Sequence, residues 1–320
     1  MCYSAQVEAD YNRYVRVVGL DEAMNIKDFV RLYWDRQREL PIRVPKALDR
    51  WFLSGAAPQA PEIPALITEY NQLQVAKLET EVFAQRKRLA DAERKLATKP
   101  TKAASESKRI ATNKVEQALG RLSDIKRTEP KTKDGRIFPG WYAPVVVFEN
   151  GRRTIKPMRY QCRPVGKPAF FDRKFPGTYN ARRDNLEGFW RDLFGYRHGV
   201  ILVNAFFENV AKHAVEGREL APGEEEQNVI LEFRPEPQQV MLVACLWSHW
   251  VEGDEDLYSF AAITDEPPPE VASAGHDRCI IPIQEHHLDA WLNPDPKDLA
   301  AQYAILDDRA RPYYEHRLAA

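Results

Sequence analysis

The second residue of this chain carries the most distinctive chemistry in it. The sequence begins Met1-Cys2-Tyr3-Ser4-Ala5. Removing Met1 leaves Cys2 with a free α-amine and a thiol two carbons apart. An α-amine titrates near about 8 and a free thiol near about 8.5, so both have reactive forms at neutral pH. Together they can trap one aldehyde: the amine condenses to an imine, and the thiol closes a five-membered thiazolidine. An internal cysteine cannot do this, because its nitrogen is tied up in an amide. The plain alternative is that Cys2 is merely the second residue of a cytosolic chain, and the decision rests on residues far downstream.

Three separated segments bear on it. Tyr179-Asn180-Ala181-Arg182 follows a Pro-Gly loop, Val203-Asn204-Ala205-Phe206-Phe207-Glu208 reads as a buried strand ending in a carboxylate, and Gly275-His276-Asp277-Arg278 precedes a short apolar strand. With Cys2 they resemble the SRAP (SOS response-associated peptidase) family, whose members carry Met-Cys, Asn-Ala-Arg, aromatic-Glu and His-Asp-Arg in this order. Weaker matches are Met158-Arg159-Tyr160, Cys245-Leu246-Trp247, Ser259-Phe260 through Ile263-Thr264, and Ala290-Trp291-Leu292. Each motif alone is common; four in the right order with cysteine at position 2 are not. The resemblance covers residues 1–5 and about 138–294.

The resemblance implies covalent crosslinking to abasic sites in single-stranded DNA, through a thiazolidine between Cys2 and the open-chain sugar aldehyde. It implies a SRAP-type peptidase and lyase-like activity in the DNA-damage response, with the initiator Met lost by self-cleavage or to an aminopeptidase. Roles then attach to single residues. Cys2 supplies amine and thiol. Glu208 is the candidate general acid/base beside the amine, or else one half of a structural ion pair. His276, an imidazole that exchanges protons near pH 6.5, is the candidate to help open the sugar ring; the bland reading is a polar loop residue. Asn180 would orient the N-terminal segment, or simply cap a loop. Arg182 and Arg278 are candidate phosphate clamps or surface salt bridges, and Arg159 is a further candidate for DNA contact. Tyr160 would stack on a base beside the gap, or sit in the core. No metal and no cofactor are expected, and the partner is single-stranded DNA containing abasic sites.

The sequence departs from the family at its start, where Met-Cys-Gly-Arg is usual and Met-Cys-Tyr-Ser stands here. The departure removes a flexible Gly near the ligand and a guanidinium. Cys279-Ile280 replaces a usual Met-Pro, with no evident physical reason. Two other readings stand beside this one. An N-terminal-nucleophile amidohydrolase of the glutaminase type also begins Met-Cys and uses the amine as a base, but glutamine-binding segments are missing and His-Asp-Arg would be idle. A non-catalytic coiled-coil adaptor would make the helical middle of the chain its working part.

The positioning elements follow from periodicity. Residues 21–40 read as a helix, with Ile26, Phe29, Val30, Tyr33 and Leu40 at helical spacing and Asp21 as N-cap; residues 46–53 read as a second helix and 54–64 as a linker. Val75, Leu78, Val82, Leu89, Ala92 and Leu96 form one apolar seam. Val115, Ala118, Leu119, Leu122 and Ile125 form another after Lys99-Pro100. Two such helices make an antiparallel hairpin. It reads as a solvated arm or, given its basic excess, as a contact for DNA or a protein partner. From Phe138 the period is that of strands: 145–148 and 154–160 around Asn150-Gly151, then 199–203, a pair at 229–234 and 240–247, and 258–264. Short helices are expected at 285–292 and 299–306. The fold class expected is α+β: a mostly antiparallel, SRAP-like β core with peripheral helices. One SRAP-like domain spans 1–320, and the helical hairpin is inserted at 65–130.

Composition is that of an ordinary soluble chain, with 46 Lys+Arg against 47 Asp+Glu in 320 residues. Residues 77–136 hold 17 Lys+Arg and 9 Asp+Glu, so the basic charge is local. Four cysteines far apart, with no C-x-x-C, indicate neither a zinc site nor a disulfide framework. No signal peptide and no apolar run of about 18 residues is seen, so no membrane association is expected. The expected setting is the cytoplasm, with nucleoid association when bound to DNA.

Overall fold

Val200, Ile201, Leu202 and Val203 are all buried because the strand that carries them has neighbours along both edges and cover on both faces. A continuous run of apolar residues is what such a strand requires. It is the sixth of twelve strands in a computed structural model that describes residues 3–19, 24–57, 60–253 and 255–319. Cys2 therefore lies outside the described residues, as does Asp21.

Early in the chain lie β1 (Ser4–Val7), α1 (Tyr11–Val18), α2 (Ile26–Gln37), α3 (Lys46–Leu53), α4 (Ile63–Thr98) and α5 (Lys102–Lys126). Then come β2 (Arg136–Ile137), β3 (Tyr142–Glu149), β4 (Arg152–Tyr160), α6 (Phe171–Lys174), β5 (Asn180–Arg182), β6 (His198–Ala211), α7 (Lys212–Val215), β7 (Asn228–Glu236) and β8 (Met241–Glu252). The rest are β9 (Glu255–Asp265), α8 (Pro269–Ser273), β10 (Cys279–Ile280), β11 (Pro282–Ile283), α9 (Leu288–Leu292), α10 (Leu299–Asp307) and β12 (Tyr313–Leu318). The class is α+β, a barrel-like sheet with peripheral helices.

The chain divides into two compact units. The first comprises described residues of 1–32, 41–61 and 132–320, and contains every strand. Within it β6 pairs with β8, β8 with β9, β9 with β4, β4 with β3, and β3 back to β6 at Val146–Val200, so five strands close on themselves. Both faces of the sheet are covered: Val145, Val147, Ile155, Met158, Phe206, Phe233, Phe260 and Ile263 are all at most 1% exposed. The β3–β4 turn is the one Asn150-Gly151 calls for: both residues have positive φ, 53° and 77°. Close strand approach explains Gly199, where a Cβ would meet Val145 Cγ1 at 3.0 Å, Cys245 Sγ at 3.2 Å and the Val146 carbonyl oxygen at 3.2 Å.

Two expectations need correction. The strands at 228–236 and 241–252 do not pair with each other. β8 runs along the first half of β6 and β7 along its second half, because β6 has fourteen residues and outlasts one partner. For the same reason Glu208 does not end its strand; it lies inside β6 opposite Leu231. The short elements β1, α1 and β12 carry too little periodicity to be read from sequence; α1 is defined by its Asp10 N-cap and Gly19 C-cap.

The second unit comprises residues 33–40 and 62–131. Its α4 and α5 run as a hairpin about the Thr101 N-cap, whose side chain accepts from the Ala104 N–H at 3.2 Å. Ala104, Ala111 and Ala118 recur every seven residues and are buried, with Val82 and Leu122 packed between the helices and Val75 and Leu78 beside them. Small residues at this period let two helices approach closely over their length. Lys108–Glu93, Lys114–Glu81 and Lys126–Glu79 link the helices at 3.1, 3.7 and 3.1 Å. These exposed pairs add little stability, and they engage several of the lysines that make the segment basic.

Candidate functional site

The N-terminal strand is brought to β6 by main-chain pairing: Ser4 stands opposite Phe207, Ala5 opposite Phe206 and Gln6 opposite Ala205. Arg136 and Ile137 of β2 flank its other edge. Position 4 is thus adjacent in the ladder to the residue that precedes Glu208.

Glu208 meets His276 across the site. Glu208 Oε2 and His276 Nε2 are 3.1 Å apart, with the two side chains 0% and 9% exposed. The imidazole is oriented from its other side, where Nδ1 donates to the Arg278 carbonyl oxygen at 2.8 Å. The contact of Nδ1 with the Arg278 N–H, at 3.3 Å, belongs to the opposite tautomer and is the longer of the two. Burial holds His276 below the usual imidazole value, against the pull of the Arg278 carbonyl. With Nδ1 carrying a hydrogen, Nε2 faces Oε2 as an acceptor, and one further proton can bridge the two. Held on either atom it leaves the pair without net charge, and it can be passed to a third group at either end. A carboxylate and an imidazole from segments 68 residues apart in sequence are thus brought together with the chemistry of one proton store.

Asn180 and Arg182 lie on β5, which runs parallel to β9 with Arg182 opposite Thr264. Ile280 of β10 pairs with the same Thr264 from the other side, so the Asn-Ala-Arg and His-Asp-Arg segments flank the end of one strand. Asn180 is buried, 5% exposed. Arg182 and Arg278 share a partner that sequence reading missed: Asp184 takes two hydrogen bonds from Arg182, at 3.1 and 2.5 Å, and lies 3.9 Å from an Arg278 nitrogen. The only sequence signal for it was an acidic residue two positions after an arginine. Both guanidiniums hence lean toward one carboxylate.

Two expected DNA contacts do not fit the structure. Tyr160 is 2% exposed, stacked on Phe260 at 5.2 Å and edge-on to Tyr179 at 5.6 Å, so its ring belongs to the core. Arg159 is committed to Asp172 at 2.8 Å and to the Gln161 carbonyl oxygen. Asp172 is shared with Arg163; burial would raise its pKa, but the two guanidiniums hold it below the carboxylate range. This inward network fixes the 161–172 loop instead of facing a ligand.

Away from the site, His286, His287 and Asp308 have ligand atoms within 4.8 Å of one another, the one such metal-compatible group among the described residues. His287 and Asp308 already bond each other at 2.8 Å, as exposed His–carboxylate pairs commonly do. Cys162, Cys245 and Cys279 are buried free thiols, and burial pushes Cys162 up to about 12, so none is a nucleophile at neutral pH. Among the described residues no helix is long and apolar enough to cross a membrane.

Comparison with known proteins places this geometry in a family. No curated protein matches the chain. Similar solved structures include a protein from Bordetella bronchiseptica, 15% identical, with TM-score 0.45 and 63% of this chain covered against 95% of that one. A protein from Bacteroides thetaiotaomicron is 13% identical, with TM-score 0.45 and coverage of 58% and 78%. A phage-related protein from Bordetella bronchiseptica is 14% identical, with TM-score 0.43 and coverage of 61% and 85%. The profile of the family described as SOS response associated peptidase (SRAP) matches residues 101–318, well over half the chain. The chain belongs to the SRAP family, and that membership supports a DNA-damage-associated SRAP function.

Proposed function

We propose that this protein captures abasic sites in single-stranded DNA covalently, through Cys2 after loss of Met1. The observation that carries the reading is the buried Glu208–His276 contact of 3.1 Å, one ladder position from the strand partner of Ser4. Two residues of chain span at most about 7 Å, so residue 2 is tethered within reach of that neighbourhood.

The chemistry balances without a cofactor. The ring-closed sugar opens when its hemiacetal hydroxyl loses a proton and its ring oxygen gains one, a transfer suited to an imidazole sharing a proton with a carboxylate. The Cys2 amine adds to the aldehyde carbon. The carbinolamine oxygen then takes a proton and leaves as water, giving the imine. The thiol sulfur adds to the imine carbon while nitrogen takes up the thiol proton, and the thiazolidine closes. The net change is aldehyde plus aminothiol to thiazolidine plus one water. Each step needs a proton moved at a stated atom, and Glu208 and His276 can give and receive it without exposing a net charge to a buried site. Asn180 orients the N-terminal segment, and Arg182 with Arg278 holds a flanking phosphate in the position Asp184 now takes.

In this reading residues 1–320 make one SRAP-like domain, with the helical hairpin of 65–130 inserted. The test is incubation with a single-stranded oligonucleotide carrying one abasic site, followed by a denaturing gel and intact mass. A covalent adduct heavier by the oligonucleotide less one water is expected, and Cys2→Ala should abolish it. The same adduct forming with Cys2→Ala at the wild-type rate would falsify the assignment.

A further inference from the structure

Tyr3 and Ser4, the two residues that follow Cys2, sit against a group assembled from Arg136, Phe138 and Trp141, at the start of the strand unit's third segment, and from Phe207 of β6. Arg136 Nε donates to Ser4 Oγ at 3.1 Å. Its guanidinium carbon lies 3.8 Å from the centre of the Phe207 ring and 5.0 Å from that of Phe138. Phe138 in turn holds the Tyr3 ring edge-on, with centroids 5.9 Å apart and planes at 68°, and is backed by Trp141 at 5.7 Å.

Two features of this group have no structural use inside the fold. Among the described residues the buried terminal nitrogen Nη2 of Arg136 has no hydrogen-bond partner, and no carboxylate lies within ion-pair distance of that guanidinium. The acid whose charge acts on it, Glu232, makes its ion pairs with Arg234 and with Arg317, the latter at 2.9 Å. Leaving a buried cationic donor unmatched costs free energy. The second feature is Tyr3 itself, 40% exposed with its ring held by aromatic neighbours and not by burial. A held, partly open aromatic ring beside a guanidinium with no direct ion pair among the described residues is the pairing that single-stranded nucleic acid uses: base on ring, phosphate on cation.

We infer that Arg136 and Tyr3 form a subsite for the nucleotide adjoining the captured sugar, with its phosphate on the Arg136 guanidinium and its base stacked on Tyr3. The inference rests on the proposed function for what lies next door, but it makes its own claim about undamaged single-stranded DNA. Phe138, Trp141 and Phe207 are positioning residues: they hold the ring and the guanidinium and touch no nucleotide.

The test therefore uses the full chain and an undamaged single-stranded oligonucleotide, read by fluorescence anisotropy over a salt series. Arg136→Gln should weaken binding about tenfold and make the slope of log affinity against log salt shallower by about 0.7, the share of one phosphate. Arg136→Lys should return the slope toward wild type. Tyr3→Leu should weaken binding by about 5- to 150-fold, the range of one lost base stack, with no change in slope, and Tyr3→Phe should bind as wild type does. Because Arg136 also covers Phe207, melting of each variant is measured, and comparison of the Lys and Gln variants separates charge from packing. Wild-type affinity and slope in both Arg136→Gln and Tyr3→Leu would overturn the subsite. A wild-type protein that binds through this patch but forms no adduct with abasic DNA would instead remove the proposed function and leave the subsite standing.

Discussion

Replacing Glu208 by Gln probes the proton store directly. The change keeps the shape of a side chain that is 0% exposed and removes its ability to take or give a proton. The new amide can still donate to His276 Nε2, so no buried acceptor is orphaned, and the loss of stability should stay under about 2 kcal/mol. The chemical cost is larger. General acid–base assistance contributes about 10²–10⁴ in rate, and in a pocket this closed water replaces the carboxylate poorly. Adduct formation should therefore slow by at least about 10²-fold, or about 2.7 kcal/mol of barrier. The assay is single-turnover crosslinking of a labelled abasic oligonucleotide, with Met1 removal verified by mass. Binding of an oligonucleotide whose sugar analogue cannot open should be unchanged, since the lesion contact is lost only in the reacting state. His276→Ala should give a defect of similar size, and the double variant should be scarcely worse, as expected when two groups move one proton. A folded Glu208→Gln protein that crosslinks at the wild-type rate refutes the role assigned here. Fully additive defects would refute the joint action of the pair.

Other consequences can be checked alongside. His198 is buried against Trp291, and burial lowers its pKa to about 3 from an unfolded value near 6.5. The unfolded chain thus binds the extra proton first, so stability falls as pH drops from 6.5 toward 3, by about 1.4 kcal/mol per pH unit from this group. Urea melts of wild type and His198→Asn between pH 7 and 4 should differ in slope by nearly one proton, and equal slopes would contradict a buried neutral imidazole. Gly199→Ala forces a Cβ to within 3.0–3.2 Å of three atoms and should cost about 1–3 kcal/mol, read as a lower urea midpoint with unchanged m. Asp184→Asn should tighten binding of undamaged single-stranded DNA and steepen its salt dependence, because Arg182 and Arg278 lose an internal competitor; unchanged binding would argue against the clamp. Replacing residues 70–130 by a short Gly-Ser linker should leave adduct formation intact, and loss of the adduct in a folded deletion protein would assign the hairpin a direct part.

Local signals were legible wherever the physics was local. The apolar seams through Val75, Leu78 and Val82 and through Ala118 and Leu122 announce the α4–α5 hairpin, since each helix supplies the face that the other covers; the buried Ala104 and Ala111 that extend the second seam were not read from the sequence. Asn150-Gly151 dictates its own turn, because both residues must take positive φ. The apolar run 200–203 announced a strand covered on both faces. The chemistry of Cys2 followed from covalent structure alone, and the order of the Asn-Ala-Arg, Glu208 and His-Asp-Arg segments was enough to name the family.

Relations between distant segments required the fold. Strand periodicity gives β7 and β8 an identical appearance, and only the length of β6 sends them to its opposite halves. Hydrophobic pattern gives an aromatic no address, so Tyr160 reads equally well as a stacking platform or as core until Tyr179 and Phe260 are seen to enclose it. An arginine in sequence is a free cation until its acid is known: Asp172 removes Arg159 from consideration, and Asp184 couples Arg182 to Arg278. The start of the chain makes the same point in reverse. Read as a string, Tyr3-Ser4 leaves the N-terminus without a guanidinium. The fold brings one to Ser4 from Arg136, 132 residues on, because β1 and β2 lie side by side in one sheet. Chain composition determined which reactions were available; the pairing of strands decided which groups meet to carry them out.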